Sequence, residues 1–223
     1  MAVGSGSDPI DGAGTTLIES WNGRAWSVVP SPNRGTSMDG LSAVSCVSRT
    51  WCVGVGDYED TLPGGAARDR PLIESWNGKT SSVVPNPGFA ATLDFVHLLS
   101  VSCTSTTACV TVGYAADGAP HTHRVIEQWN GKVWTLIPAL PSISKSDDAL
   151  SGVSCPSSQS CQAVGSYVDR HGIARTLIES WTGQKWSITP SPNAANEPSG
   201  LQDLSCASVT TCQAIGTPNE AYG

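Results

Sequence analysis

Short runs of alternating apolar and polar residues recur along the chain at intervals of about fifty residues. In one complete unit these runs are Leu150–Cys155, Cys161–Tyr167, Thr176–Trp181 and Trp186–Pro190. Each run is short, contains β-branched or aromatic residues, and is followed by Gly, Asn or Pro, which is typical of strands joined by turns. The unit therefore predicts four β-strands, and helix signals are weak throughout.

The same order of runs begins again at Leu41, at Leu98 and, incompletely, at Leu201. A fixed period of this length is typical of propellers and solenoids. We place the Leu-x-x-Val-Ser-Cys run innermost, Cys-x-Ala-Val-Gly second, Leu-Ile-Glu-Ser-Trp third and Trp-Ser-Val-Val-Pro outermost. Proline at the end of the last run suits an outer edge, where a missing donor disrupts no ladder. The sequence thus predicts an all-β protein, a β-propeller of four-stranded blades.

The repeat divides residues 1–223, a single repeat domain, into partial and complete blades. These are a partial blade 1–40, blades at about 41–97, 98–149 and 150–200, and a partial blade 201–223. Leu201–Cys206 would supply the innermost strand that the N-terminal blade lacks, which closes a four-bladed ring; the alternative is an arc of a larger propeller. Met1–Gly6 has no features of a secretory leader and reads like Ala163–Ser166, so we expect a leader upstream.

Eight cysteines form four pairs of identical C-x5-C spacing. The pairs are Cys46 and Cys52, Cys103 and Cys109, Cys155 and Cys161, and Cys206 and Cys212. Zinc sites favour shorter spacings with a second pair or histidines nearby, and the four histidines do not follow the cysteines. Two half-cystines across a hairpin lie within disulfide distance. We therefore expect one disulfide per repeat, each worth about 2 kcal/mol, and an oxidising compartment.

Charge and hydropathy exclude two classes of partner. Charged residues make up 14% of the chain and the formal net charge is −7, with no cluster of basic residues to neutralise phosphates. We therefore expect no nucleic acid partner. No window approaches eighteen continuous apolar residues, so we also expect no membrane insertion.

A glutamate recurs at one position of each third strand. These residues are Glu19, Glu74, Glu127 and Glu179. Apolar neighbours would raise their pKa values and suit them to cation binding or acid/base chemistry. The alternative is structural: carboxylates that accept backbone or indole N–H groups at blade junctions. Four equal copies favour the structural interpretation, because catalysis needs one asymmetric constellation.

Tryptophans suggest sugar binding, since indole faces stack on sugar rings. Seven of the eight fall at two repeat positions, which packing between blades explains better. Trp51 lies outside the repeat pattern, in the short loop between Cys46 and Cys52, so we expect it to be exposed. It is the single residue that we predict as a ligand contact.

Candidate metal and catalytic motifs are weak. His121 and His123 alternate as a metal pair does, and His97, His171 and Asp117 are conceivable further ligands, but histidines in a polar loop are usually solvated. The chain has no G-x-S-x-G, no P-loop and no dinucleotide fingerprint. We expect no metal, no cofactor and no catalytic residue.

The repeat resembles the BNR, or Asp-box, class of propeller repeat found in sialidase-like and photosystem-assembly-factor-like proteins. The resemblance is carried by Leu150–Val153, Ala163–Gly165 and Gly183–Trp186. The chain is also similar to secreted bacterial proteins built of LIESWNG, WSVVPSPN, VSC and C-x-AVG repeats. The resemblance implies a propeller, with one departure: tryptophans such as Trp181 stand where the Asp-box has its aspartate. The arginines show no sialidase pattern, so no catalytic residue is carried over.

The stretches that differ most between repeats are where we expect partner contacts. They are Glu59–Arg70, Gly88–Phe95, Ala115–Arg124 and Pro141–Asp148. The sequence favours a secreted or cell-surface, non-catalytic binding or adhesion module that recognises a glycan or a protein. The alternatives are a glycan hydrolase or lyase on a propeller scaffold, and a structural repeat fragment that self-associates if its ring is incomplete.

Overall fold

The computed structural model describes residues 1–8, 12–35, 38–61, 64–89, 95–116, 121–138, 143, 146–193 and 197–218. These residues form β-strands connected by turns, and no helix among them is long and apolar enough to cross a membrane. Strand pairing is antiparallel throughout the described sheets except for one parallel bridge, between Asp69 and Phe95.

Three complete blades follow one another, each in the predicted order of innermost, second, third and outer strand. The first blade is β4 (Asp39–Ser48), β5 (Trp51–Thr61), β6 (Ala67–Trp76) and β7 (Ser81–Val83). The second blade is β8 (Phe95–Ser105), β9 (Ala108–Ala116), β10 (Thr122–Trp129) and β11 (Trp134–Leu136). The third blade is β12 (Asp148–Ser157), β13 (Ser160–Val168), β14 (Ala174–Trp181) and β15 (Trp186–Ile188).

An incomplete sheet lies on either side of these blades. The N-terminal sheet comprises β1 (Ala2–Ser7), β2 (Gly14–Trp21) and β3 (Trp26–Val29), and the C-terminal hairpin comprises β16 (Ser199–Ser208) and β17 (Thr211–Pro218). The predicted all-β propeller of four-stranded blades is confirmed.

The recurring Val-Gly of the second strand has a steric cause. Each innermost strand carries a bulge just after its leucine, for example between Leu98 and Ser100. A Cβ on Gly113 would lie well inside van der Waals contact of the His97 carbonyl oxygen, and Gly56 and Gly165 face the same obstruction. Only glycine fits opposite the bulge.

The recurring Asn-Gly pair forms the turn that connects the third strand to the outer strand. Gly23 has a φ of 96°, which a side chain would disfavour. The Asn22 Oδ1 accepts the backbone N–H groups of Arg24 and Ala25 at 2.8 and 2.9 Å. The turn therefore supplies the conformation that a tight hairpin requires.

One disulfide closes the hairpin of innermost and second strands in each unit, with the paired Cα atoms 4.0 Å apart. The four predicted disulfides are confirmed, and they indicate an oxidising environment. The serine before the first cysteine joins neighbouring units, since its Oγ accepts the backbone N–H of the next unit's cysteine. These bonds run from Cys103 to Ser45 (2.9 Å), from Cys155 to Ser102 (3.0 Å) and from Cys206 to Ser154 (3.1 Å).

Apolar residues fill the space between successive blades. A valine of the second strand and an isoleucine of the third pack with the innermost-strand leucine, a third-strand aliphatic residue and the outer-strand tryptophan of the following blade. Between the first and second blades these residues are Val55 and Ile73 against Leu98, Val125 and Trp134; between the second and third they are Val112 and Ile126 against Leu150, Leu177 and Trp186.

The two incomplete sheets do not join. The N-terminal sheet contains only β1, β2 and β3, and the C-terminal hairpin pairs with none of them in the described part of the chain. Closure of a four-bladed ring by Leu201–Cys206 stays a prediction. Leu204 of this hairpin is buried, and β16 packs beside β12, β13 and β14 of the third blade.

Candidate functional site

An open groove of about 440 Å³ lies between the loop that follows β3 and the segment that follows β7. Its principal lining residues are Arg34, Tyr58, Arg70, Pro85, Pro87 and Phe89. No Asp or Glu is among the described residues that line it. Arg34 and Arg70 are the charged side chains among those described lining residues.

Arg34 is held at the groove by its backbone. The Asp39 carboxylate accepts the N–H groups of Arg34 and Gly35, both at 2.7 Å, and Asp39 is itself buried. One residue earlier, the Asn33 Oδ1 accepts the backbone N–H of Thr16 at 3.0 Å. The loop is therefore fixed to β2 and β4, while the Arg34 side chain is exposed.

Tyr58 and Arg70 form the adjoining wall. They are paired across β5 and β6, so their side chains lie on the same face of the sheet. The Arg34 guanidinium carbon lies 5.4 Å from the centre of the Tyr58 ring, within cation–π distance. This wall combines an aromatic ring with two cationic side chains.

The opposite wall runs from Val83 to Phe89 and contains Pro85 and Pro87. Asn86, between the two prolines, donates its side-chain N–H to Glu127 Oε2 at 2.8 Å. The Gly88 N–H is donated to Asn86 Oδ1 at 3.3 Å. The two prolines and these hydrogen bonds restrict the backbone conformation of this wall, so a ligand would meet a pre-formed surface.

Comparison with known proteins gives a structural similarity but no match in sequence. No protein-family model matches the chain, and no curated protein matches it in sequence. Among solved structures the chain is similar to YCF48 bound to D1 peptide, with 12% identity and a TM-score of 0.43. The match covers 79% of this chain and 62% of that chain, so this chain spans less than two thirds of that neighbour.

The glutamates predicted as repeated carboxylates are buried in the three complete blades. Glu74 is 1% exposed and Glu127 and Glu179 are 0% exposed, whereas Glu19 of the N-terminal sheet is half-buried. The three buried glutamates lie at blade junctions, and each contacts a donor side chain of the preceding unit, whereas backbone or indole groups were expected. Buried carboxylates of this kind do not contact a dissolved substrate.

Each buried glutamate has a different donor. Ser31 donates to Glu74 at 2.9 Å, and Ser81 of the same blade donates to it at 2.5 Å. Burial raises the pKa of Glu74, while these hydroxyls act to lower it. Burial raises the pKa of Glu127 to about 7, because Asn86 is a single neutral donor and Oε1 has no hydrogen-bond partner among the described residues.

Glu179 belongs to a buried ionic network between the second and third blades. Arg124 contacts the carboxylates of both Asp148 and Glu179, and all three side chains are nearly inaccessible to solvent. Burial acts to raise the pKa of Glu179, and the Arg124 charge opposes it. The network joins β10 to β12 and β14, which is a structural role.

A histidine lies between two carboxylates at the junction of the first and second blades. His97 Nδ1 is 3.2 Å from Asp57 Oδ1, and its Nε2 is 3.2 Å from Asp69 Oδ2. The Tyr114 ring lies against the imidazole, with the ring centres 4.9 Å apart. The Asp57 hydrogen bond is the main cause that raises the pKa of His97, and burial raises that of Asp69. When the imidazole is protonated, both ring nitrogens can donate, one to each carboxylate.

The other predicted site residues are dispersed. Trp51 is not exposed as expected: it begins β5, is half-buried and packs against the core between the first and second blades. Its role as a ligand contact stays a prediction. His121 lies 3.6 Å from Asp147, whereas His171 lies in a turn beside Arg170.

Asp117 lies outside the described residues, and within those residues no three His, Cys, Asp or Glu side chains are grouped to hold a metal. The variable stretches also lie in part outside the described residues. Two groove residues nevertheless belong to them: Arg70 ends one stretch, and Phe89 is the second residue of another.

Sequence reasoning missed the groove and the His97 cluster. The available signal was departure from the repeat: Arg34 follows Pro-Ser-Pro-Asn, whereas Ala194 follows the matching Pro190–Asn193. Asp57 and Asp69 also differ between repeats, but only the pairing of β5 with β6 and the position of β8 bring them to one imidazole.

Proposed function

We propose that this chain is a non-catalytic, extracellular binding module whose groove receives an extended peptide segment carrying at least one carboxylate. The observation that carries the proposal is the groove itself, with Arg34 and Arg70 beside Tyr58, Phe89 and two prolines. Four disulfides support the extracellular location, since such bonds persist in oxidising compartments.

The shape of the groove favours an extended ligand. Recognition of extended and proline-containing segments commonly uses open, aromatic-lined grooves. Here Tyr58 and Phe89 provide aromatic surface, and Val83 and Val84 add aliphatic surface. A peptide backbone with one or two apolar side chains is the ligand that this surface suits.

The charge of the groove favours an acidic residue in that ligand. Guanidinium groups bind carboxylates through charge-assisted hydrogen bonds. The Arg34 side chain is exposed and its loop is fixed by Asp39, so this contact requires little reordering of the backbone.

The same residues favour a peptide over a glycan. Sugar sites pair an aromatic platform with groups that accept hydroxyl protons, such as carboxylates, and the described lining of the groove contains no Asp or Glu. The repeated glutamates offer little support for a hydrolase or lyase, because those of the complete blades are buried at blade junctions.

The proposal is tested by selection from a displayed library of random peptides, followed by isothermal titration of the enriched peptide. We expect enrichment of Asp or Glu next to an aromatic residue or proline. Arg34→Ala should weaken the selected peptide about tenfold, equivalent to about 1.4 kcal/mol. Arg49→Ala is the matched control, because Arg49 is an exposed arginine in the β4–β5 turn, away from the groove.

A glycan array that includes bacterial cell-wall fragments is probed in parallel. Saturable glycan binding that Arg34→Ala leaves unchanged would overturn the peptide assignment. Enriched peptides that lack acidic residues, or that bind Arg34→Ala and Arg49→Ala equally well, would overturn the role of the groove.

A further inference from the structure

A cleft of about 110 Å³ lies between the second and third blades, beside a disulfide. The second blade forms one wall and the third blade forms the other. The principal lining residues are Ala108, Val110, Gln128, Cys155, Cys161 and Trp181. A cleft of this volume suits a single ring and not an extended peptide. Its described lining shares no residue with the groove at Arg34.

The small side chain of Ala108 leaves this cleft open. Ala108 begins β9 and pairs with Ser105. Side chains two residues apart on a strand share a face, so Ala108 lies on the same side of β9 as Val110, which packs in the core between the second and third blades. A larger side chain at this position would enter the cleft.

The junction between the first and second blades has a tryptophan at the position of Ala108. Trp51 begins β5 and pairs with Ser48, in the same register as Ala108 in β9. Trp51 is half-buried and packs against the core of the first junction. The first junction therefore contains an indole ring where the second junction has the cleft.

The surroundings of Trp51 are repeated around the cleft. The Cys103–Cys109 disulfide and Trp129 lie at the core against which Trp51 packs. Cys155–Cys161 and Trp181 stand at the matching positions of the third blade, and both line the cleft. The second junction thus presents the same kind of surface that accepts an indole ring in the first.

We propose that the cleft binds a tryptophan side chain of a protein partner. Trp51 is the reason to expect this ring, and its attachment to a strand beside the disulfide is the reason to expect a polypeptide as its source. The Gln128 amide oxygen supplies an acceptor for an indole N–H, and Trp181 supplies an aromatic surface.

The fit of an indole ring is tested within the chain itself. Ala108→Trp should raise the melting temperature of the oxidised protein by about 2 °C or more, because the new ring fills the cleft as Trp51 packs in the first junction. Ala108→Ser is the control: Ser160 stands at this position in the third blade, so the change should leave the melting temperature nearly unchanged. A lower melting temperature for Ala108→Trp would overturn the proposal, since the cleft would then not accept the ring.

Binding is tested by nuclear magnetic resonance of the isotopically labelled, oxidised chain with the peptide acetyl-Gly-Trp-Gly-amide. We expect saturable shift changes at Ala108, Gln128 and the Trp181 indole N–H. Ala108→Trp should lose these changes and Ala108→Ser should keep them. The absence of such changes in the parent chain, or changes that Ala108→Trp leaves intact, would overturn the proposal. So would equally tight binding of acetyl-Gly-Leu-Gly-amide, which would exclude a preference for the ring, or of free indole, which would exclude a polypeptide source.

Discussion

Glu127 makes the stability of this fold depend on pH, and Glu127→Gln should remove that dependence. Glu127 is fully buried, and burial raises its pKa from 4.5 to about 7. The folded state therefore holds a proton that the unfolded state releases above its ordinary pKa. This contribution to stability is complete below about pH 4.5, is lost as the pH rises towards 7, and changes little beyond.

The magnitude follows from the size of the shift. At 1.36 kcal/mol for each unit of pKa, the shift corresponds to about 3 kcal/mol of stability lost between acidic and neutral pH. Gln is neutral at every pH and retains an oxygen that can accept the N–H of Asn86. The free energy of unfolding of the variant, relative to that of the parent chain, should therefore increase by up to about 3 kcal/mol between pH 4.5 and pH 8.

The assay is urea unfolding of the oxidised proteins, followed by tryptophan fluorescence at several pH values. Glu179→Gln is the contrast: it removes a buried partner of Arg124, so it should destabilise at every pH in this range. A difference between Glu127→Gln and the parent that stays constant with pH would refute the reasoning, as would a carbon-13 titration placing the Glu127 pKa near 4.5.

Three further predictions concern other parts of the fold. Gly113→Ala should lower the stability of the fold by about 2 kcal/mol or more, measured by thermal unfolding, because the added Cβ would collide with the innermost strand. Gly4→Ala is the control: a Cβ at this matching position meets nothing within 4 Å, so the change should be neutral. Replacing Cys155 and Cys161 together by Ser should cost about 2 kcal/mol, measured in the same way with the other bridges intact. His97→Gln should destabilise most below pH 6.5, where the imidazolium bridge is complete, and progressively less as the pH rises through the raised pKa of His97, measured by urea unfolding.

The repeat made the blade predictable, because its causes are local. The Asn22–Gly23 turn depends on a positive φ, and the paired cysteines depend on the register of a single hairpin. Such constraints recur in every unit and can be read without knowing how the units are arranged.

The site was less predictable, because it depends on residues that break the repeat or meet across units. Tyr58 lines the groove together with Arg34 of the preceding unit, which lies over its ring, and Arg70 of the next strand, with which it is paired. Trp51 was expected to be exposed because it lies near a turn, yet it packs against the core. Neither contact follows from a local pattern, since each is fixed by how neighbouring units pack.

Amide hydrogen exchange of the chain, with and without the peptide that binds most tightly, tests the binding role of the groove most directly. We predict slower exchange confined to the loop that carries Arg34, to the paired segments around Tyr58 and Arg70, and to residues 83–89. Slower exchange confined to the disulfide-closed hairpins or to the N-terminal sheet, with no change around Arg34, would contradict the account.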